Sequence, residues 1–447
     1  MRRYCKNVDI KNIDFIKRCI YLWMEGKLNR KDVQHFLSFY AGLTYQEIKE
    51  RVDCEDYRFL AETVDRIAKD IRKRILNRKL NLPPIRFRRK YDQGSGKWRL
   101  IGIQKPIHQI FDYIAVEGCM EMFNAKIGPY QMASIPGRGQ EKGMKTIYRW
   151  LQLDEKHTRY YIKADIRQCY PSIQHERIKA LFARDLKNPE LLWLVCELID
   201  SFPEGLSIGS YFSQYACNYY LSYAYHYASE QLHRLRKKRN GQTERIRLVH
   251  HILFYADDIL FLGSSEKDLV SGMEMLGDYL RDCLGLELKP DWKPETADYT
   301  DKAGNRKGRF IDMMGYRIYR DHITIRRGTF KRIRRSIIRA RVRMENGKDI
   351  PLDMAHSISS RSGRVSHCDS FGFERKYRLA QIRSRAGKVI SCHDKILAEE
   401  KKRRKQDYEN RQRALSHDAD NGAVQCPFGR DCGSVAAQEY PADHNGR

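Results

Sequence analysis

Apolar residues recur every three to four positions over 10–24, 30–40 and 57–80, a spacing that predicts three helices. Pro83-Pro84 closes that region. Over 85–103 the period falls to two, with Ile85-Arg86-Phe87-Arg88 and Lys97-Trp98-Arg99-Leu100-Ile101 as strands and Asp92-Gln93-Gly94-Ser95-Gly96 as their turn. Residues 106–122 read as an amphipathic helix, and 134–140 as a Gly/Pro loop before a helix ending near Leu151. A strand at 160–165, a helix starting near Pro171 and an apolar helix at 191–202 come next. One long helix with a Tyr-rich face is expected from Ser210 to about Arg239, with a turn at Asn240-Gly241. Two short apolar, β-prone runs, 252–255 and 259–262, flank Asp257-Asp258 and read as the arms of a hairpin. Beyond them come a helix at 266–284, a strand pair around 310–318, a strand at 323–325 and a very basic helix at 328–344. From about Glu399 the chain is charged, then polar and Gly-rich without a period, so disorder is expected beyond Ser416.

With 447 residues and 41% hydrophobic content, the chain can build two or three domains around a substantial core. The excess of 84 Lys and Arg over 57 Asp and Glu gives a net charge of +27, which suits a polyanionic partner. The 27 Tyr and 17 Phe add stacking surfaces for unpaired bases. A basic structural protein would share that charge. No run reaches the roughly 20 apolar residues of a membrane span, so no membrane association and a cytoplasmic location with reduced thiols are expected. Cys426-x5-Cys432 and Cys392-His393 match no common zinc spacing.

The candidate chemistry lies in three acids. Two adjacent carboxylates without a cation on either hairpin arm repel each other, and a divalent cation would relieve that. An ordinary acidic turn is the plainer reading of Asp257-Asp258 alone. Asp165 ends the strand Tyr160-Tyr161-Ile162-Lys163-Ala164-Asp165, where it could equally cap the next helix. Between them, Gly205-Leu206-Ser207-Ile208-Gly209-Ser210-Tyr211-Phe212-Ser213-Gln214 is a Gly-marked entry to a helix. The order strand-Asp, Gly-loop-helix, hairpin-Asp-Asp is far more specific than any one piece.

Over roughly residues 83–380 the chain resembles reverse transcriptases. Asp165 with Tyr170-Pro171-Ser172-Ile173 is similar to the first palm motif, and Tyr255-Ala256-Asp257-Asp258 to the Tyr-x-Asp-Asp motif. Phe310-Ile311-Asp312-Met313-Met314-Gly315-Tyr316 resembles the primer grip. The resemblance implies an α+β right-hand polymerase of fingers, palm and thumb. It implies Asp165, Asp257 and Asp258 as catalytic metal ligands, with the Ile166 backbone, for two Mg²⁺ ions (Mn²⁺ as a substitute). Tyr170 would be a steric gate that selects deoxynucleotides, or else an ordinary core Tyr. Arg99 and Arg138 would hold the triphosphate by their bidentate forks, or else lie on the surface. Met314, Gly315 and Tyr316 would grip the primer. Lys331, Arg332, Arg334, Arg335 and Arg339 would lie along the nucleic-acid backbone, or else form a solvated helix face.

The middle motif narrows the likeness. Many reverse transcriptases carry Gln-Gly-x-x-x-Ser-Pro there, whereas this chain has Ile208-Gly209-x-x-x-Ser213-Gln214. That form resembles the enzymes of diversity-generating retroelements, in which it accompanies error-prone copying opposite adenine. Ile208, Gly209 and Gln214 would then shape the nucleotide pocket, Ile supplying shape where Gln supplies a hydrogen bond. A lost polar check of this kind weakens discrimination by about 1–3 kcal/mol. Gly363-x-x-x-His367-x-Asp369-Ser370 resembles a further segment late in such enzymes.

The expected organisation is a helical N-terminal extension (1–82), fingers (83–155), palm (156–320), basic helical thumb (321–398) and a charged, then disordered tail (399–447). Expected partners are an RNA template, a DNA or RNA primer, dNTPs and a small basic accessory protein. Three other readings stay open: a phage-defence reverse transcriptase, a group II intron-type enzyme, and a catalytically idle RNA-binding or splicing factor on the same fold.

Overall fold

The computed structural model describes residues 2–92 and 96–421. The middle of the turn expected after Asp92, the tail beyond 421 and the Cys426/Cys432 pair lie outside them.

The N-terminal region forms α1 (Ile13–Met24), α2 (Lys31–Ala41), α3 (Tyr45–Asp53) and α4 (Arg58–Leu76). The hydrophobic spacing does not reveal α3, although its start carries a local signal. Thr44 accepts the Glu47 N–H while the Glu47 carboxylate accepts the Thr44 N–H, a reciprocal cap on two otherwise orphaned donors. The α4 side chains Val64, Ile67, Ala68 and Ile71 are fully buried at helical spacing. This region shares its core with the helices that pack behind the palm. Trp23 is wholly buried, and its Nε1 donates to Gln109 on the next long helix at 3.0 Å. The extension is therefore built into the body of the protein and is not a tethered module.

A hairpin of β1 (Arg86–Asp92) and β2 (Lys97–Ile103) comes next, then α5 (Pro106–Lys126) and α6 (Gln140–Leu153). Pro106 opens α5 at a position where its missing N–H costs nothing. The helix is apolar nearly all round, as a helix at the centre of a core must be. The chain continues through β3 (Tyr160–Asp165), α7 (Cys169–Ser172), α8 (His175–Asp185), α9 (Pro189–Asp200) and α10 (Tyr211–Glu230).

The long helix expected to Arg239 ends at Glu230. The basic tract instead forms β4 (His233–Lys237), which pairs antiparallel with β5 (Thr243–Arg247) across the Asn240-Gly241 turn. Asn-Gly favours the positive φ of tight hairpin turns, and Gly241 has φ 83°. Turn chemistry outweighed the apparent continuation of the Tyr-rich helix.

The palm sheet adds β6 (His251–Tyr255) and β7 (Asp258–Gly263), then α11 (Glu266–Leu284) and β8 (Pro294–Thr296), in the order β6-β7-β3-β8 with every pairing antiparallel. The period-two alternation of these strands sorts their side chains onto two faces. Ile162, Ala164, Phe254, Ile259 and Phe261 join the core of α5, α10 and α11. Tyr161, Leu253, Leu260 and Leu262 join a second core, shared with α6 and the C-terminal elements. The sheet is thus the partition between two cores, and its strand ends are held from both sides.

Short strands β9 (Tyr299–Thr300) and β10 (Arg306–Lys307) lead to a three-stranded sheet of β11 (Ile311–Met313), β12 (Tyr316–Ile318) and β13 (Ile323–Ile325). The C-terminal helices are α12 (Arg327–Glu345), α13 (Leu352–Ser362), α14 (Phe371–Lys376) and α15 (Leu379–Asn421). Helical backbone continues past Ser416 to Asn421, where disorder was expected, and the boundary expected at 398/399 falls inside α15. Among the described residues no helix is long and apolar enough to cross a membrane. The arrangement is that of a right-hand polymerase, with the β3–β7 sheet as palm.

Candidate active site

The acids meet where β3 and the β6–β7 hairpin end together. The register sets Asp165 directly opposite Asp258, and the Ile166 N–H donates to the Asp257 carbonyl at 2.9 Å. Tyr255 pairs with Asp258, leaving Ala256 and Asp257 as a two-residue turn. Ala256 sits at φ 53°, a region that costs a residue with a Cβ about 1–2 kcal/mol. Buried arms on both sides hold the turn in that shape, which aims both acids out of the strand end. In extended backbone the N–H and C=O of one residue point the same way, so the Ile166 carbonyl faces the acids as well.

Lone carboxylates were expected here, and the structure corrects that. Lys163 on β3 reaches Asp258 at 3.3 Å, and Lys289 reaches Asp165 at 2.5 Å. Lys289 is fixed in turn, since its N–H donates to the Asp165 carbonyl at 2.9 Å. Asp257 has no such partner among the described residues. Burial, then the neighbouring charges of Asp258 and Asp165, push its carboxyl above the usual range, with Arg99 pulling slightly the other way.

Hard oxygen donors of this kind suit Mg²⁺, which takes one or two carboxylates and fills its shell with water and phosphate. Three carboxylates and the Ile166 carbonyl fit that donor set. They do not form a closed cage: among the described residues no three His, Cys, Asp or Glu side chains converge on one point. Lys163 and Lys289 neutralise two of the three acids.

The surrounding side chains divide into those near the acids and those engaged elsewhere. Arg99 stands on exposed β2 with its Nε 3.4 Å from Asp92, close enough to the cleft to act on the Asp257 charge. Arg138 does different work from that expected. Its Nη1 donates to the Gly128 and Gln131 carbonyls at 2.6 and 2.8 Å, clamping the turn before α6. Burial also pulls its pKa down, and the triphosphate role has no support in this geometry. Tyr170 lies on α7 beside Cys169, Cys217 and Asp257; burial first, and then those groups, raise its hydroxyl pKa.

Ile208, Gly209 and Gln214 belong to a loop and helix start, and the loop is tied to β2. The Gly102 N–H on β2 donates to the Ile208 carbonyl at 2.8 Å. Gly209 has φ 114°, and a Cβ there would come within 2.6 Å of the Gly102 carbonyl oxygen. A Cβ on Gly205 would lie 2.4 Å from the Tyr170 carbonyl oxygen, so the same loop also sets Tyr170. Beneath it is a residue that sequence reasoning missed. Asp112 on α5 is fully buried and accepts from Ser210 Oγ at 2.7 Å and the Phe212 N–H at 3.3 Å. Burial raises its pKa to about 7. It anchors the start of α10, and an Asp set between the apolar positions Ile110, Phe111 and Ile114 on the buried face of α5 was the available signal.

Met314 and Gly315 form the tight β11–β12 turn with φ 55° and 89°, and Tyr316 is buried beneath it. The Gly315 carbonyl accepts the Arg326 N–H at 3.0 Å, tying this turn to the start of α12. On α12, Ile333, Ile337 and Ala340 face the core. Arg332, Arg335 and Arg339 line a crevice of about 350 Å³ with Arg361 of α13. Arg334 instead donates to the Tyr377 hydroxyl at 2.8 Å, and Lys331 is exposed. Within the late segment, Asp369 takes the Ile323 N–H on its carboxylate at 2.7 Å and docks that loop onto β13.

Residues 88–294 match the reverse transcriptase (RNA-dependent DNA polymerase) family. No curated protein matches the chain. Among solved structures it is similar to apo telomerase from Candida tropicalis truncated from its C-terminal domain, at 14% identity and TM-score 0.38, over 54% of each chain. A second apo telomerase structure from that organism matches at 11% identity and TM-score 0.38, over 55% of this chain and 48% of that one. The chain spans about half the length of these structures.

Proposed function

From a chain that carries a reverse transcriptase domain, that of an RNA-dependent DNA polymerase, over residues 88–294, we propose an enzyme that copies an RNA template into DNA. The observation that carries this is the meeting of Asp165, Asp257 and Asp258 at one strand end, with Asp257 left uncompensated. Asp165 and Asp257 would hold two Mg²⁺ ions, with Asp258 and the Ile166 carbonyl in support. Bound there, the ions would supply charge stabilisation for the attacking and leaving oxygens of phosphoryl transfer. The chain's own groups do the positioning. Arg99 stands on the fingers side of the acids and would meet the phosphates of a dNTP. Tyr170, set by the Gly205 loop, would press on the sugar where a ribose carries its 2′-hydroxyl. The Met314-Gly315 turn would seat the primer end, and the α12 cations would run along the duplex backbone.

Within this class we favour the error-prone enzyme of a diversity-generating retroelement, working with a small basic accessory protein and a dedicated template RNA. Support comes from the Ile208-Gly209-x-x-x-Ser213-Gln214 form of the middle motif, in which an apolar side chain would stand where a polar one would check the nascent pair; the Ile208 carbonyl is fixed to β2.

Primer extension on a mixed-sequence RNA with dNTPs and Mg²⁺, followed by sequencing of the cDNA, tests both levels. Errors concentrated opposite adenine are the expected result. Accurate cDNA would retain the polymerase and move the assignment to the phage-defence or intron-type enzymes. No synthesis, even with accessory protein and native RNA, would favour the idle binding scaffold. Tyr170→Ala should raise ribonucleotide incorporation roughly 10- to 200-fold, as loss of one apolar contact in a specificity pocket does.

A further inference from the structure

Helix α15 spans 43 residues, about 64 Å at the usual helical rise. Its first turns are rooted in the thumb. Ile382 and Ala386 are buried there, and Arg383 donates to the Ser362 carbonyl of α13 at 2.6 Å. The stretch 391–400 then runs exposed, with only His393 partly covered. Cover returns at the other end of the molecule. Lys401 pairs with Glu55 at 2.6 Å, and Lys405 approaches the same carboxylate at 3.8 Å. The Cys54 thiol lies 3.7 Å from the Arg404 carbonyl, and Arg411 pairs with Glu50. Tyr408 is 4% exposed and donates its hydroxyl to Asp56 at 2.8 Å. These partners are the end of α3 and the turn into α4, in the N-terminal extension.

The contacts close a circuit. The palm sheet carries β11–β13 on its second core, that sheet carries the thumb, and the thumb carries α15. Helix α15 grips the α3–α4 turn, and the extension is fused through Trp23 to α5 and so back to the palm. The two buried footholds on α15, Ala386 and Tyr408, stand about 33 Å apart along the helix, with the exposed stretch 391–400 between them. A helix exposed on all sides gains nothing for the core, and its placement makes sense as a bridge over a space that something else fills. The distal foothold rests mainly on exposed ion pairs, which are individually weak, so it can release and re-form.

We propose that α15 is a strap that closes the thumb onto the N-terminal extension, making a ring that encircles the template–primer duplex. The inference rests on the polymerase reading for the identity of the enclosed molecule. A ring holds nucleic acid by topology as well as by charge, so bound enzyme leaves by sliding off an end. An enzyme whose exits are blocked therefore stays on its duplex for as long as the strap stays closed.

The test uses the full chain on a linear RNA–DNA duplex with biotin at both ends. Enzyme is loaded at low ionic strength, the ends are capped with streptavidin or left open, and dissociation is followed after adding excess unlabelled duplex at unchanged ionic strength, so that the strap's ion pairs stay unscreened. The strap predicts at least a tenfold longer lifetime on capped than on open duplex. Lys401→Glu with Lys405→Glu should bring that ratio close to one, and adding Glu55→Lys should restore it. Because the ratio compares one protein on two duplexes, a general loss of affinity cancels. Equal lifetimes for the unaltered protein, or a ratio untouched by the charge reversal, would overturn the ring. Failure to bind either duplex, capped or open, would overturn the polymerase reading together with it.

Discussion

Two β-hairpins stand next to one another along this chain, β4–β5 and β6–β7. Both are antiparallel, with arms of five or six residues. In β6–β7, side chains on both faces are buried, since each face of the palm sheet belongs to a core. In β4–β5 most side chains are exposed, and Leu235 is 68% exposed. A one-residue slip of β6 against β7 would throw Phe254 and Leu253 into each other's cores, so burial specifies the register. Nothing comparable fixes β4–β5 beyond its Asn-Gly turn and pairs such as Arg236–Glu244. A strained turn with close carboxylates is tolerated only on the hairpin whose arms cannot move, and that is where the chain places its acids.

Altering one charge in each hairpin should separate the two most. Asp257→Asn should lower RNA-templated nucleotide incorporation roughly 10⁴-fold, about 5 kcal/mol of transition-state stabilisation, while circular dichroism stays unchanged. Arg236→Ala on β4 should change incorporation less than about twofold, because an exposed ion pair contributes little. A fall of similar size in both would mean that the hairpins share one role.

Core truncation comes next in size. Phe261→Ala on β7 should destabilise the protein by about 3–4 kcal/mol in urea unfolding, from lost burial and the cavity left behind. Leu235→Ala on β4 should stay within about 0.5 kcal/mol. Equal losses would show that β4–β5 is covered in solution.

The smallest effect is one of sign with pH, measured without divalent metal. The Asp257 carboxyl is raised, so between the unfolded value and its own the folded chain holds a proton that the unfolded chain has released. Stability should therefore fall as pH rises through that window, and Asp257→Asn should remove this slope. On β5, Arg236 and Lys238 hold Glu244 below the usual range. Its contribution has the opposite sign, present above the ordinary carboxylate pKa and lost as pH falls, and exposure keeps it small. Glu244→Gln should remove that second slope.

The same contrast explains what was legible in the sequence. The runs 252–255 and 259–262 announce buried strands because apolar side chains have nowhere else to go, and β3 announces itself likewise. The acids were found because they interrupt those runs. The exposed arms of β4–β5 carry no burial pattern, so His233–Lys237 was absorbed into the preceding helix and only its turn was seen. Lys163 and Lys289 escaped because their partners lie across strands, a pairing that register creates and local sequence does not encode. Arg138 looked like a phosphate ligand by its loop, yet its guanidinium closes the turn at 128–131. Least legible was the grip of Tyr408 on Asp56, between positions at opposite ends of the chain.

RNA-templated DNA synthesis by the three carboxylates at this strand end is the proposed activity. Its most direct test is single-turnover addition of one dNTP to a primer on an RNA template in Mg²⁺, comparing the unaltered protein with Asp165→Asn and Asp257→Asn, each checked for duplex binding. Rapid incorporation by the unaltered protein and roughly 10⁴-fold slower incorporation by either variant are expected, with binding retained in all three. Incorporation undiminished by both substitutions, or an unaltered protein that binds primed RNA and adds nothing, would contradict the proposal.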